Sequence, residues 1–292
     1  MTIPYDTRQT ATPRPEVLPQ RARGAAQVSA RLRRSAGLSD AGDAIRPSVI
    51  GDLSMSGAAK LLFPRSRGPL QAVYLNASGG ITGGDDFALN AEAEENAHLV
   101  LTTQAAERIY RAMPGEPGRV RTRLTLRDGA RLDWLPQETI LFEGSALDRS
   151  LSIDMPANAR LLACESLVFG RPAMGEKVHD LRLVDRIDLW IDGRLAYADR
   201  LRLMGDADAT LARSGVASGA GAMATVIHAA PGAAASVEAL RKMLPETAGV
   251  SALTDDLVAL RILSVDAFVL RGHLGAVLRF LSGAALPRPW MI

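Results

Sequence analysis

The chain has 292 residues, 47% of them hydrophobic and 23% charged, with a formal net charge of +2. That length supports a sizeable core in one large domain or two ordinary ones. The near-neutral balance argues against a dedicated nucleic-acid binder, and the lone Cys164 excludes a cystine-framed secreted scaffold.

Residues 1–46 hold eight arginines against Asp6, Glu16, Asp40 and Asp43, and Pro4, Pro13, Pro15 and Pro19 interrupt a polar run. This pattern reads as a basic, partly disordered N-terminal arm, followed by one β-rich domain over 47–292. No apolar segment follows the early arginines, so no signal peptide is expected. The uncharged stretch Ser214–Val237 is mostly Gly, Ala and Ser, too polar for a membrane span, and a cytoplasmic address is the default.

From there short alternating or branched runs, separated by Gly, Asn, Asp and Pro, predict strands. The clearest are Ala72–Leu75, Phe87–Ala91, His98–Thr103, Val120–Leu126, Arg131–Leu135, Ser150–Asp154, Arg160–Cys164, Ile187–Ile191 and Arg194–Asp199. A turn residue, a small or turn residue, a basic residue and a leucine recur at Asn96-Ala-His-Leu99, Gly129-Ala-Arg-Leu132, Asn158-Ala-Arg-Leu161 and Asp192-Gly-Arg-Leu195. Spaced by about 30 residues, these units suggest stacked layers of strands, and a meandering sheet would give similar hairpins. Either way the fold class is mainly β.

Two helices are expected in the C-terminal quarter. Ser236 can cap Val237–Leu244, which Pro245 stops, and Asp266–Leu281 carries Phe268, Val269, Leu274, Val277, Leu278 and Leu281 at helical spacing before Gly283. Leu257–Leu263 between them reads as a strand.

Chemical motifs are sparse. There is no P-loop and no Gly-x-Ser-x-Gly elbow, and Gly219-x-Gly221-x-x-Ala224 is followed by the strand-like Thr225–Ala229 rather than a helix. His98, His179, His228 and His273 are scattered, so no tight metal site is expected; Glu176 and His179 are the weak candidates, able to share a transition-metal site with Glu165 or simply to be solvated or hydrogen-bonded. Cys164 reads as a small buried hydrophobe.

The loop Gly79, Gly80, Gly83, Gly84 and Asp85 reads as a tight structural turn or partner contact, with an anion nest or a carboxylate site as the sharper alternative. Gln104, Gln137 and Glu165 close three matching strand ends, which predicts a polar ladder along the body if the repeats stack. Hydrogen bonding in the core and a hydrated passage for a small cation are the two readings of that ladder.

Four ordered motifs then carry a resemblance. Ser78-Gly-Gly-Ile-Thr-Gly-Gly-Asp85, Leu101-Thr-Thr-Gln-Ala-Ala-Glu-Arg-Ile-Tyr-Arg111, Leu135-Pro-Gln-Glu-Thr-Ile-Leu-Phe-Glu-Gly144 and Phe169-Gly-Arg-Pro-Ala-Met-Gly-Glu176 resemble the urease accessory protein UreD (UreH) family. Ala198-Asp-Arg-Leu-Arg-Leu203 and Pro287-Arg-Pro-Trp290 extend the likeness over roughly residues 55–292.

The resemblance implies a mainly β body with β-helical character and two helices. It also implies a non-enzymatic cytoplasmic chaperone that binds apo-urease and supports nickel insertion with a UreF-type partner and, through it, a UreG-type GTPase. Nickel would be carried transiently, with no tightly bound cofactor, by an internal passage for which Gln104, Gln137, Glu138, Glu165 and Glu176 are the candidates. The competing class is a β-rich enzyme using Asp85, Glu138 or Glu176 for acid–base chemistry.

Overall fold

The computed structural model describes residues 21–33, 47–66, 68–171 and 174–291. In chain order its strands are β1 (Arg23–Leu32), β2 (Ser48–Gly57), β3 (Ala59–Leu62), β4 (Leu70–Asn76), β5 (Asp86–Ala93), β6 (His98–Thr103), β7 (Glu107–Ile109), β8 (Gly118–Leu126) and β9 (Arg131–Leu135). They continue as β10 (Thr139–Leu141), β11 (Ala146–Met155), β12 (Arg160–Phe169), β13 (Leu181–Ile191), β14 (Arg194–Gly205), β15 (Ala222–Ala229), β16 (Ala248–Thr254) and β17 (Leu257–Ser264). The α-helices are α1 (Ala207–Leu211), α2 (Val237–Met243) and α3 (Ala267–Ser282).

The centre of the molecule is a β-solenoid. β4, β6, β9 and β12 run parallel in one sheet, with Leu70, Leu99, Leu132 and Leu161 in register. β5, β8, β11 and β13 run parallel in a second, with Asp86, Arg119, Asp148 and Val184 in register. A short third row is formed by β7, β10 and the end of β12. Each coil therefore contributes one strand to each wall, and its exposed ends are covered only by the coil above or below.

The recurring turn motif places Ala97, Ala130 and Ala159, all almost fully buried, at one edge of this stack. Asn96 and Gly129 before two of them take positive φ, the conformation a tight strand-to-strand corner needs. His98, Arg131 and Arg160 then fall in exact cross-strand register. The fourth expected repeat is corrected: Arg194 opens β14, which folds back antiparallel on β13 in the other wall. The coil that replaces it starts earlier, at Leu70.

Between the walls, Val28, Leu89, Leu124 and Ile153 meet Leu99, Leu132, Leu161 and Ile227. The outer face of the wall holding β12, β15 and β17 is covered by α2 and α3, through Leu240, Leu270, Leu274, Val277 and Leu278. Cys164 lies in this layer as a buried free thiol, and burial, then the neighbouring Glu165, pushes its pKa well up.

α3 starts and ends where its sequence says: Asp266 accepts from the Val269 amide at 2.8 Å, and Gly283 takes φ 64°. Phe268, by contrast, is 87% exposed rather than packed. Ser236 precedes α2 but does not cap it; its hydroxyl donates to the Ala233 carbonyl, closing a short 3₁₀ turn.

Part of the expected arm is a strand. β1, which lies inside the expected arm, pairs antiparallel with β2 and parallel with β5, and buries Ala26, Val28 and Ala30. The remainder of the arm, residues 1–20 and 34–46, lies outside the described residues. Among the described residues no helix is long and apolar enough to cross a membrane.

Candidate functional site

Strand alternation sends Leu147, Arg149, Leu151 and Ile153 of β11 inward, so a guanidinium enters the apolar space between the walls. On β13 the same alternation buries Leu183, Asp185 and Ile187, and Asp185 stands directly opposite Arg149 in register. A buried charge requires partners. Arg149 Nε and Nη2 donate to the two oxygens of Asp185 at 2.9 and 2.6 Å, and Nη1 donates to Glu165 Oε2 at 2.6 Å and to Thr139 Oγ1 at 3.0 Å. The other Glu165 oxygen accepts from Trp134 Nε1 at 2.8 Å.

The three ionic residues are 7%, 9% and 8% exposed for Arg149, Glu165 and Asp185. Burial alone would depress the Arg149 pKa, and the two carboxylates outweigh it and raise it. Burial raises the Glu165 pKa, against the downward pull of Arg149.

Empty space adjoins this cluster on both sides. A partly open cavity of about 60 Å³ is bounded by Tyr74, Thr103, Glu107, Trp134, Gln137 and the Arg149–Glu165 pair. Beyond that pair a space of about 10 Å³ leads to Thr225, Asp199 and Arg261, where Arg261 Nη2 is paired with Asp199. On the opposite side, Tyr74, Thr103 and Glu107 also border a pocket of about 140 Å³ that includes Asn76 and the exposed Gln104. The three spaces thus adjoin in series, each sharing lining residues with the next.

Two groups mark this series as polar. Gln137 Nε2 has no hydrogen-bond partner among the described residues, although its Oε1 accepts from Arg271 Nη1 at 2.6 Å. A buried amide donor bordering a cavity is the setting in which ordered water is found. Glu107 accepts from Asn76 Nδ2 at 3.2 Å, and burial pushes its pKa up to about 7. Burial, then Glu107, also raises the Tyr74 hydroxyl.

The sign of the Glu107 effect follows from linkage. Its folded pKa lies above the ordinary carboxylate value, so between the two the folded chain holds a proton the unfolded chain releases, and stability falls as pH rises. Glu107→Gln keeps the acceptor for Asn76 and removes that dependence. The variant should exceed the parent by about 3 kcal/mol in urea unfolding near pH 8, narrowing to about 1 kcal/mol near pH 5. Parallel stability–pH curves for the two proteins would refute this.

Of the residues singled out in the sequence, Gln137 and Glu165 line the cavity and Gln104 lines the pocket outside it. The ladder is not a regular stack. Trp134 pairs with Ala163 and Thr139 with Leu167, so the offset shortens by one residue between them, and Glu165 turns to Arg149 instead of stacking on Gln137. Glu138 and Glu176 lie away from these spaces. Glu138 faces Arg271 at 3.5 Å, and Glu176 accepts from Arg171 at 2.8 and 3.1 Å, which lowers its pKa.

His179 Nδ1 lies 3.1 Å from Asp206 Oδ2, and no group of three or more His, Cys, Asp or Glu side chains able to hold a metal exists among the described residues. In the glycine loop, Asp85 is 4% exposed and accepts from the Ala22 and Thr82 amides at 2.8 and 2.9 Å, stapling the start of β1 to the loop. At Gly80, with φ 154°, an added Cβ would lie 2.3 Å from the Tyr110 ring. Gly79 has open space in the same position. Asp85, Glu138 and Glu176 therefore engage separate partners and do not converge on one reacting centre.

Arg149, Asp185, Glu107 and Tyr74 escaped the sequence reading. A signal existed for the first two, since each is a charged residue on the inward, otherwise aliphatic stripe of its strand.

The family described as UreD urease accessory protein matches residues 27–291. The urease accessory protein UreD of Ruegeria pomeroyi is 49% identical over 246 residues, covering 84% of this chain and 96% of that protein. Its counterpart in Ruegeria sp. strain TM1040 is 46% identical over 282 residues, 94% of this chain and 92% of its own length. A UreD from Chelativorans sp. strain BNC1 is 40% identical over 292 residues, 98% of this chain and 100% of that protein.

Proposed function

The chain belongs to the family of UreD urease accessory proteins, and on that premise we propose that it is a non-catalytic maturation chaperone through whose body nickel passes to apo-urease. In this reading it acts in the cytoplasm, binds apo-urease directly, docks a UreF-type protein and through it receives nickel from a UreG-type GTPase. Nickel is cargo here and not a resident cofactor.

The observation that carries the passage is the series of three spaces from Gln104 and Glu107 to Asp199 and Arg261. Its walls offer hydroxyl and carboxylate oxygen at Thr103, Glu107, Thr139 and Glu165, rather than the thiolate or clustered imidazole sets that hold late divalent metals tightly. Oxygen donors of this kind let a cation enter and leave. A tight site would retain it.

The test is urease co-expressed with its accessory set, with and without this chain, at matched urease protein levels. Omission should leave nickel-poor, inactive urease that the chain restores. Unchanged nickel content and specific activity would refute the maturation role.

A further inference from the structure

The passage is not open along its length: at its centre the Arg149 guanidinium fills the gap between Glu165 and Asp185 and borders the empty space on each side. We propose that Arg149 is a closure that stands in for the cargo, occupying in the resting chain the position a divalent cation takes between the Glu165 and Asp185 carboxylates, and yielding it by exchange. The inference rests on the passage reading and adds a site and a mechanism to it.

Two buried carboxylates cannot remain ionised without a cation beside them. Arg149 supplies one, and holds both in fixed geometry through three charge-assisted hydrogen bonds to them. A divalent cation entering from the larger cavity competes for the same oxygens. When it binds, two carboxylates and a dication are neutral together, and the displaced guanidinium turns into the adjoining cavity, whose wall carries the Glu107 carboxyl.

That cavity can receive it. It measures about 60 Å³, and the unpartnered Gln137 Nε2 on its wall marks it as hydrated. Thr139 Oγ1, already 3.0 Å from Arg149 Nη1, is a further oxygen at the exchange point. After the cation leaves, the guanidinium returns, so the empty passage is sealed and its carboxylates stay ready. The Arg261–Asp199 pair at the far end repeats the arrangement on a smaller scale.

The test uses the full chain co-purified with its co-expressed accessory partners, dialysed to equilibrium against nickel(II) chloride near pH 7. Lysine in place of Arg149 keeps the charge but presents one compact ammonium that cannot bridge both carboxylates, so Arg149→Lys should bind nickel about tenfold more tightly than the parent. The triple variant Arg149→Met, Glu165→Gln, Asp185→Asn removes the buried charges together, which a fold tolerates better than removal of one, and should lose this binding. The difference between parent and triple variant isolates the site from nickel held by partner proteins.

Identical nickel binding by parent, Arg149→Lys and the triple variant would overturn the proposal, as would loss of binding in the triple variant with no tightening in Arg149→Lys. Failure of the passage reading itself is read elsewhere, as unchanged nickel delivery by a chain whose cavity is filled while the Arg149 cluster is intact.

Discussion

The Arg149→Met variant should unfold with a free energy about 3–5 kcal/mol below that of the parent at neutral pH, the cost of leaving a buried ionic partner uncompensated. Arg149 bridges two carboxylates, each under a tenth exposed, and methionine has no donor for either. Trp134 Nε1 would remain on Glu165, while Asp185 would lose both of its bonds to Arg149.

The deficit should also depend on pH in a defined direction. Without the guanidinium, burial raises the Glu165 pKa further in the folded chain, so the folded state takes up a proton that the unfolded state releases. The loss is therefore greatest at high pH and shrinks as pH falls toward the ordinary carboxylate range. Urea titrations of both proteins near pH 5 and pH 8 measure it. A deficit below about 1 kcal/mol at pH 8 would mean that the two carboxylates do not depend on Arg149, since values that small are typical of surface pairs.

Urease matured with the Val120→Phe variant should lose most of its nickel while the accessory complex still assembles. Val120 lines the cavity of about 60 Å³ from β8, and its side chain forms no hydrogen bond that the substitution would remove. A phenyl ring there projects into existing empty space, and overpacking costs of about 1–3 kcal/mol are the upper expectation. Glu107, Gln137, Arg149, Glu165 and Asp185 all stay in place. Urease nickel content at matched urease and accessory protein levels is the readout, with thermal unfolding of the variant as the folding control. Full nickel loading of urease by a folded Val120→Phe chain would eliminate a route through this cavity.

Much of the architecture was legible in the sequence because it is written in local periods. His98–Thr103 and Arg131–Leu135 are β6 and β9 to the residue, and α3 begins after Asp266 and ends at Gly283. Period-two alternation, helical spacing and capping residues act within a few positions of one another, so one window of sequence holds the whole signal. The same holds for the small residue in the stacked corners at Ala97, Ala130 and Ala159.

What the sequence by itself determined, then, was a β-rich stacked body, its C-terminal helices and its family likeness. The tertiary structure alone decided the rest. β1 has weak strand character, with three Ala, two Arg and a Gly among its residues, and is a strand because β2 and β5 supply its backbone partners on both edges. β7 and β10, three residues each, exist only as stacked rungs.

The central cluster is the clearest case. Thr139, Arg149, Glu165 and Asp185 come from four strands, and which of them meet depends on cross-strand register between coils of unequal length. Alternation announces that Arg149 and Asp185 point inward. Only the summed lengths of the intervening loops, fixed by how the coils pack, place the guanidinium between the two carboxylates with a cavity beside it.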